Sequence, residues 1–178
     1  MLIGISGKMR SGKDTVANYI IEKYGFEHLK FSKGINEIYN KFNYVDDKGI
    51  KNRQALQDIG QGIRRALGEN VWVNYTLSHY NRGKDTVISD VRQDNEFIAL
   101  RELGAVIILV TTSPSVQRER LLQLGESPDE DRMNHETEHI PESMADVVVV
   151  NDSSLEELYT KIDDILEPLI TSYKDKQD

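Results

Sequence analysis

Cysteine is missing from all 178 residues of this chain, which excludes disulfides, zinc-thiolate sites and cysteine nucleophiles. Positive charge is in deficit: 22 Lys and Arg stand against 30 Asp and Glu, for a formal net charge of −8. A polymeric nucleic acid is therefore a poor partner, whereas a small anion can still be held by a local basic cluster. No apolar run approaches the roughly 20 residues that a membrane helix needs. No signal-like lead precedes the first strand pattern, so no membrane partner and a cytoplasmic location are expected. Internal repeats and low-complexity linkers are also lacking. What remains is 38% hydrophobic and 29% charged, the composition of a soluble globular chain forming one domain, 1–178.

Short apolar runs at 2–6, 28–32, 85–91, 105–112 and 146–152 read as strands. The last three are β-branched with little alternation, as in strands covered on both faces. Helical patterns fall between them, near 13–24, 33–43, 53–67, 70–81, 93–103, 114–124 and 154–171. This alternation predicts an α/β fold, three-layered α/β/α, with a five-stranded parallel sheet. Ser153 or Ser154 can cap the last helix, and Leu155, Leu158, Ile162, Ile165 and Leu169 supply its apolar stripe. Pro168 is expected to kink or end it. The stretch 43–52 reads as an exposed loop. The long polar stretch 124–142 reads as a functional lid, or as disorder.

The segment "GISGKMRSGKDTV" joins the first strand to the first helix. Gly7, Gly12 and Lys13 fit G-x-x-x-x-G-K, the pattern of a phosphate-binding loop. Glycines let the backbone curl so that N–H groups point inward, and the helix adds its positive end. Gly7, Lys8, Arg10, Ser11, Gly12, Lys13, Asp14 and Thr15 are thus candidate contacts to the phosphates of ATP. The pattern calls for Ser or Thr after the lysine, and Asp14 stands there, followed by Thr15. Either could ligate Mg2+, the expected cofactor.

Further candidates surround this loop. Asp90 ends an apolar strand where ligands gather, and could hold the metal through water or touch the substrate. Arg92, two residues on, could meet a second phosphate. In the helix at 53–67, Leu56, Ile59, Ile63 and Leu67 form an apolar stripe. Arg53, Gln57, Gly60 and Arg64 form a second line, whose guanidiniums, amide and gap suit a flat base with a phosphate beside it. A solvated face is the alternative. Trp72 could stack on a base or lie in the core. Arg118, Arg120 and Arg132 could close over a transferring phosphoryl group. His135 and His139 are four apart but lack the further ligands of a zinc site.

Taken together, "SGKMRSGKDT", "RQALQDIGQGIRR" with "VWV", "VISDVRQDNE", "ELGAVIILV" and "HETEH…ADVVVVNDSSLEELYTKID" resemble the deoxynucleoside monophosphate kinases of tailed bacteriophages, within the P-loop nucleoside monophosphate kinases. The chain departs at "FSKGINEI", where Lys33 and Asn36 replace an acid and a base common in that family. The resemblance implies transfer of the γ-phosphoryl group of ATP to a deoxynucleoside monophosphate. It implies small nucleotides as partners, adenine near Asn151 in the turn at 151–154, and a host-cytoplasmic location if the chain is phage-encoded. It also implies an acceptor-binding region about 33–82 and a lid about 118–142. A homodimer is left open. The rival readings are another small-molecule kinase, such as one for a coenzyme precursor, and a nucleotide-dependent switch. No Asn-Lys-x-Asp guanine reader is present, and no strand ends in the Asp-Glu of a motor.

Overall fold

A computed structural model describes residues 1–42, 52–125 and 142–175. Five strands, β1 (Leu2–Ser6), β2 (Glu27–Leu29), β3 (Thr86–Val91), β4 (Val106–Thr111) and β5 (Val147–Val150), form one sheet. Every pairing is parallel, and the spatial order is β2-β3-β1-β4-β5. The helices are α1 (Lys13–Tyr24), α2 (Lys33–Phe42), α3 (Arg53–Leu67), α4 (Val71–Leu77), α5 (Asp94–Glu102), α6 (Pro114–Gln123) and α7 (Leu155–Lys174). The expected five-stranded α/β/α architecture is what the chain adopts.

The alternation of side chains along each strand splits the core in two. Ile3, Ile5, Val87, Ile108 and Val149 pack on one face against Val16 and Ile20 of α1 and Leu158, Ile162 and Leu166 of α7. Leu2, Ile88 and Ile107 pack on the other against Phe97 and Leu100 of α5 and Val73 of α4. At roughly 1.5–3 kcal/mol per buried large side chain, these two clusters supply the main driving force for folding. β1 lies centrally, with β3 and β4 on either side; the crossover from β1 runs one way, to β2, and that from its neighbour β4 runs the other, to β5. The carboxyl edge there is the topological switch point, where a parallel sheet opens a crevice.

Four helix starts among the described residues are capped by side chains, that of α5 by Glu96, which accepts from the Gln93 N–H at 3.1 Å. Asn52 accepts from the Ala55 N–H at 3.1 Å, Ser113 precedes Pro114, and Ser154 accepts from the Glu157 N–H at 3.2 Å. Four expectations need correcting. β5 is not covered on both faces: it is an edge strand, with Val148 and Val150 half exposed. Pro168 does not end α7, which runs on to Lys174. Pro168 and Asp164 both lie on the exposed side, so the carbonyl that loses its helical donor faces water. Leu155 is exposed while Leu166 is buried, because the stripe of α7 is set by contact with the sheet rather than by its cap. In α3 the buried residues are Gly60 and Arg64, not the apolar stripe, and Leu67 is exposed. Residues 43–51 and 126–141, which include most of the expected lid, lie outside the described residues.

Candidate functional site

The loop after β1 curls because three positions permit it. Arg10 takes a left-handed φ of 64° and Gly12 one of 97°. A Cβ on Gly7 would come within 2.6 Å of the Val110 carbonyl oxygen, so only glycine fits there. The loop is then clamped from outside through its carbonyls. Gln117 Nε2 donates to Met9 O at 2.6 Å, Arg120 Nη1 to Arg10 O at 3.2 Å, and Asn151 Nδ2 to Ser11 O at 2.8 Å. A second nitrogen of Arg120 reaches Asn151 O at 3.0 Å, tying the clamp together. Each peptide N–H points opposite to its carbonyl, so pulling carbonyls outward turns amides inward. The Ser11 hydroxyl is buried with no hydrogen-bond partner, as expected where an anion completes the shell.

Lys13 opens α1 and is 9% exposed, with Nζ on Asp14 Oδ2 at 2.9 Å. Lys30 Nζ lies 3.7 Å from the other oxygen of Asp14. Burial pushes the Asp14 carboxyl up, but the hydrogen bond and charge of Lys13, then the charges of Lys30 and Arg92, hold it below the ordinary value.

A cavity of about 450 Å³ opens from Lys13 and Asp14 and runs beneath α3. Arg53, Gln57, Gly60 and Arg64 border it from α3, Asp90 and Arg92 from the end of β3, and Ile35, Leu56 and Phe31 give it apolar wall. Asp90 is held by two donors, the N–H groups of Phe31 at 2.7 Å and Ser32 at 2.9 Å. It thereby fixes the turn from β2 into α2. Arg64 is almost fully buried and its Nε has no partner. Its nearest carboxylate, Glu96, is 3.9 Å from Nη2. Glu96 itself accepts from the N–H groups of Arg92 and Gln93 at 2.8 and 3.1 Å. Burial pushes the Glu96 carboxyl up to about 7, against those two N–H groups and Arg64, while Asp90 adds to the rise.

A second cavity, of about 520 Å³, lies on the far side of the loop and is lined by Arg10, Gly12, Lys13, Asp14, Thr15 and Arg120 among others. Lys13 and Asp14 border both spaces. Lys8 is exposed on the loop, and Arg118 is exposed on α6 and borders neither cavity. Trp72 also borders neither. It is 4% exposed, donates to Gly60 O at 3.1 Å and packs on Gly34, so it is removed as a base-stacking residue. Gly60 has a second duty, since a Cβ there would meet Ile35 Cδ1 at 3.1 Å where α2 crosses α3. Arg132, His135 and His139 lie outside the described residues.

Sequence reasoning missed Lys30, Glu96 and Gln117. Glu96 had a usable signal, a Gln-x-x-Glu spacing at the start of α5. Lys30 and Gln117 had none, because nothing local marks a lysine or glutamine as facing a loop distant in sequence. Among the described residues no group of three or more acidic or His side chains is arranged to hold a metal alone. Asp14 and Thr15 both border the second cavity, and their oxygens are of the kind that suits Mg2+, which takes few protein ligands and keeps most of its water. Asp90, with each oxygen already accepting a backbone N–H, suits an outer position. Among the described residues no helix is long and apolar enough to cross a membrane.

A family model described as an AAA domain matches residues 3–141. The chain is 25% identical to the "Putative deoxynucleotide monophosphate kinase" of Acanthamoeba polyphaga mimivirus, over 91% of this chain and 94% of that protein. It is 29% identical to the "Deoxynucleotide monophosphate kinase" of Enterobacteria phage T4, over 89% of this chain and 63% of the phage enzyme, so it spans less than two thirds of that relative. A "UPF0200 protein" of Sulfurisphaera tokodaii is 26% identical over 95% of this chain and 97% of its own length. Among solved structures, the shikimate kinase of Acinetobacter baumannii shares the fold, with a TM-score of 0.59 at 16% identity over 96% of this chain and 93% of that one.

Proposed function

The chain belongs to the AAA domain family, and from that premise we propose that it moves the γ-phosphoryl group of ATP onto the phosphate of a deoxynucleoside monophosphate. The observation that carries this reading is the cavity of about 450 Å³ that meets the phosphate loop at Lys13 and Asp14 and is bordered by Arg53, Gln57, Arg64 and Arg92. An acceptor held there by its phosphate presents an oxygen to the γ-phosphorus. The new P–O bond forms as the bond to the β-phosphate oxygen breaks, and ADP and the deoxynucleoside diphosphate leave. The acceptor phosphate is already ionised, so no general base is needed. Mg2+ neutralises charge on the donor phosphates when bound.

The roles divide by place. Loop amides, Ser11 and Lys13 hold the donor phosphates. Asp14 or Thr15 would ligate the metal, and Asp90 would reach it through water or touch the acceptor. Arg64, with its unpartnered buried Nε, and Arg92 take the acceptor phosphate. Gln57 and the apolar wall take a flat base. Arg120 edges the donor cavity while clamping the loop, and Arg118 or Arg132 closes over the transferring group. The monophosphate and deoxyribose parts of the reading rest on the names carried by the mimivirus and T4 relatives. Free nucleotides, not a polymer, are the partners, and the cytoplasm is where they are met.

The test is incubation with Mg-ATP and a panel of nucleoside and deoxynucleoside monophosphates, shikimate and dephospho-coenzyme A, with products separated chromatographically. Conversion of at least one deoxynucleoside monophosphate is expected. Phosphorylation of another acceptor alone would replace this reading with another small-molecule kinase. ATP binding with no acceptor-dependent turnover would leave a switch.

A further inference from the structure

The usual loop hydroxyl after the lysine is neutral, and here a carboxylate replaces it. Asp14 therefore brings an extra negative charge to the place where phosphates must bind. The structure shows how that charge is balanced. Lys13 Nζ sits on one carboxylate oxygen at 2.9 Å and Lys30 Nζ lies 3.7 Å from the other. Lys30 follows β2 directly, at the carboxyl edge of the sheet, and borders the same cavity as Arg64, Asp90 and Arg92.

Its backbone is fixed on three sides. Leu29 pairs with Ile88 of β3, the Thr76 hydroxyl donates to Lys30 O at 3.2 Å, and Asp90 holds the next two N–H groups. Its side chain is 42% exposed, and the ammonium is 3.7 Å from Asp14 rather than in close hydrogen-bond contact. A lysine anchored through its backbone, with a long side chain beside the loop lysine at the border of the acceptor cavity, is placed to follow a moving charge.

We propose that Lys30 is a catalytic residue, whose ammonium leaves Asp14 when Mg-ATP binds and contacts the phosphoryl group as it passes between donor and acceptor. This rests on the phosphotransferase reading above. The Asp14 carboxylate stands between the two ammoniums, an anionic group where two cations converge. Asp14 would help hold Mg2+ brought with the nucleotide, which would leave the Lys13 and Lys30 ammoniums to the phosphate oxygens. The charge that spreads over the equatorial oxygens during transfer then meets a cation from each side.

The alternative is that Lys30 serves only to neutralise Asp14. Substitutions at both positions separate the two. Lys30→Ala should lower kcat by roughly tenfold or more, the loss typical of one electrostatic donor, with the KM values for ATP and acceptor changed less than about twofold. Lys30→Arg should recover part of that loss. In an Asp14→Ser background the charge to be neutralised is gone, and Lys30→Ala should still lower kcat by a similar factor. If Lys30→Ala costs nothing in that background, or leaves kcat unchanged in the native one, the proposal is overturned. Should the unmodified protein phosphorylate no deoxynucleoside monophosphate, the acceptor reading fails by itself. The same five proteins compared in the slow hydrolysis of Mg-ATP, where water receives the phosphoryl group, then judge Lys30 separately.

Discussion

Glu96 shows what burial does to a single residue at the edge of the acceptor cavity. It is 4% exposed, and its ordinary value of 4.5 is pushed up to about 7. The unfolded chain ionises Glu96 near 4.5, while the folded chain keeps the proton to about 7. Between those values the folded state binds more protons, so stability falls as pH rises. The contribution is complete below about 4.5 and lost above about 7. At 1.36 kcal/mol per unit of pKa the whole effect is at most about 3 kcal/mol. Glu96→Gln keeps a carbonyl to accept from the N–H groups of Arg92 and Gln93 but removes the titration. Urea unfolding at pH 5 and pH 8 should therefore show the unmodified protein losing stability relative to the variant at the higher pH. A constant difference between the two proteins at both pH values would mean that the Arg64 guanidinium holds Glu96 charged throughout. No sequence pattern could have announced this behaviour, because the Gln-x-x-Glu spacing marks a helix start and says nothing of how deep that start is buried.

Elements behave less simply than their periodicity suggests. The spacing of Arg53, Gln57, Gly60 and Arg64 put them on one line of α3, and that line borders the cavity. Its neighbour, the apolar stripe, looked like the buried face, yet Leu67 is 71% exposed. Hydrophobicity ranks side chains but does not reveal which face a cavity will claim. The phosphate loop was legible for the opposite reason: strand, glycines, lysine and helix are consecutive. Its clamp was not, since Gln117 and Asn151 come from over 100 residues away. The clamp makes a prediction of its own. Asn151→Ala removes a buried hydrogen bond to Ser11 O, worth about 1 kcal/mol. The loop amides should then lose their preset direction, and Mg-ATP should bind roughly five- to tenfold more weakly, as titration with a fluorescent ATP analogue would measure. Gly12→Ala should act the same way and more severely, because its Cβ would stand 2.2 Å from Asn151 Nδ2 at a φ of +97°. Normal binding by both variants would mean that the loop is held without its clamp.

At the scale of the molecule, the sheet was legible because short apolar runs, the last three of them β-branched, alternate with helical patterns. The order of the strands was not, nor was the position of β5 at an edge, because pairing joins segments distant in the chain. That order is what brings the loop after β1 beside the end of β3 and so lets two cavities share Lys13 and Asp14. Two ligands bound to two spaces should stabilise the fold separately. A ligand at one hundred times its Kd adds about 2.7 kcal/mol, which raises Tm by roughly 5–10 °C in a chain of this size. Arg64→Ala removes a charged hydrogen bond from the acceptor side alone, worth about 1.5–3 kcal/mol, and weakens the monophosphate by about ten- to a hundredfold. At the same ligand concentration, thermal protection by the monophosphate should drop to half or less, and protection by Mg-ATP should be unchanged. A fall in both would make Arg64 a support of the whole fold through Glu96. A fall in neither would move the acceptor phosphate away from α3, towards Arg92 and the end of β3.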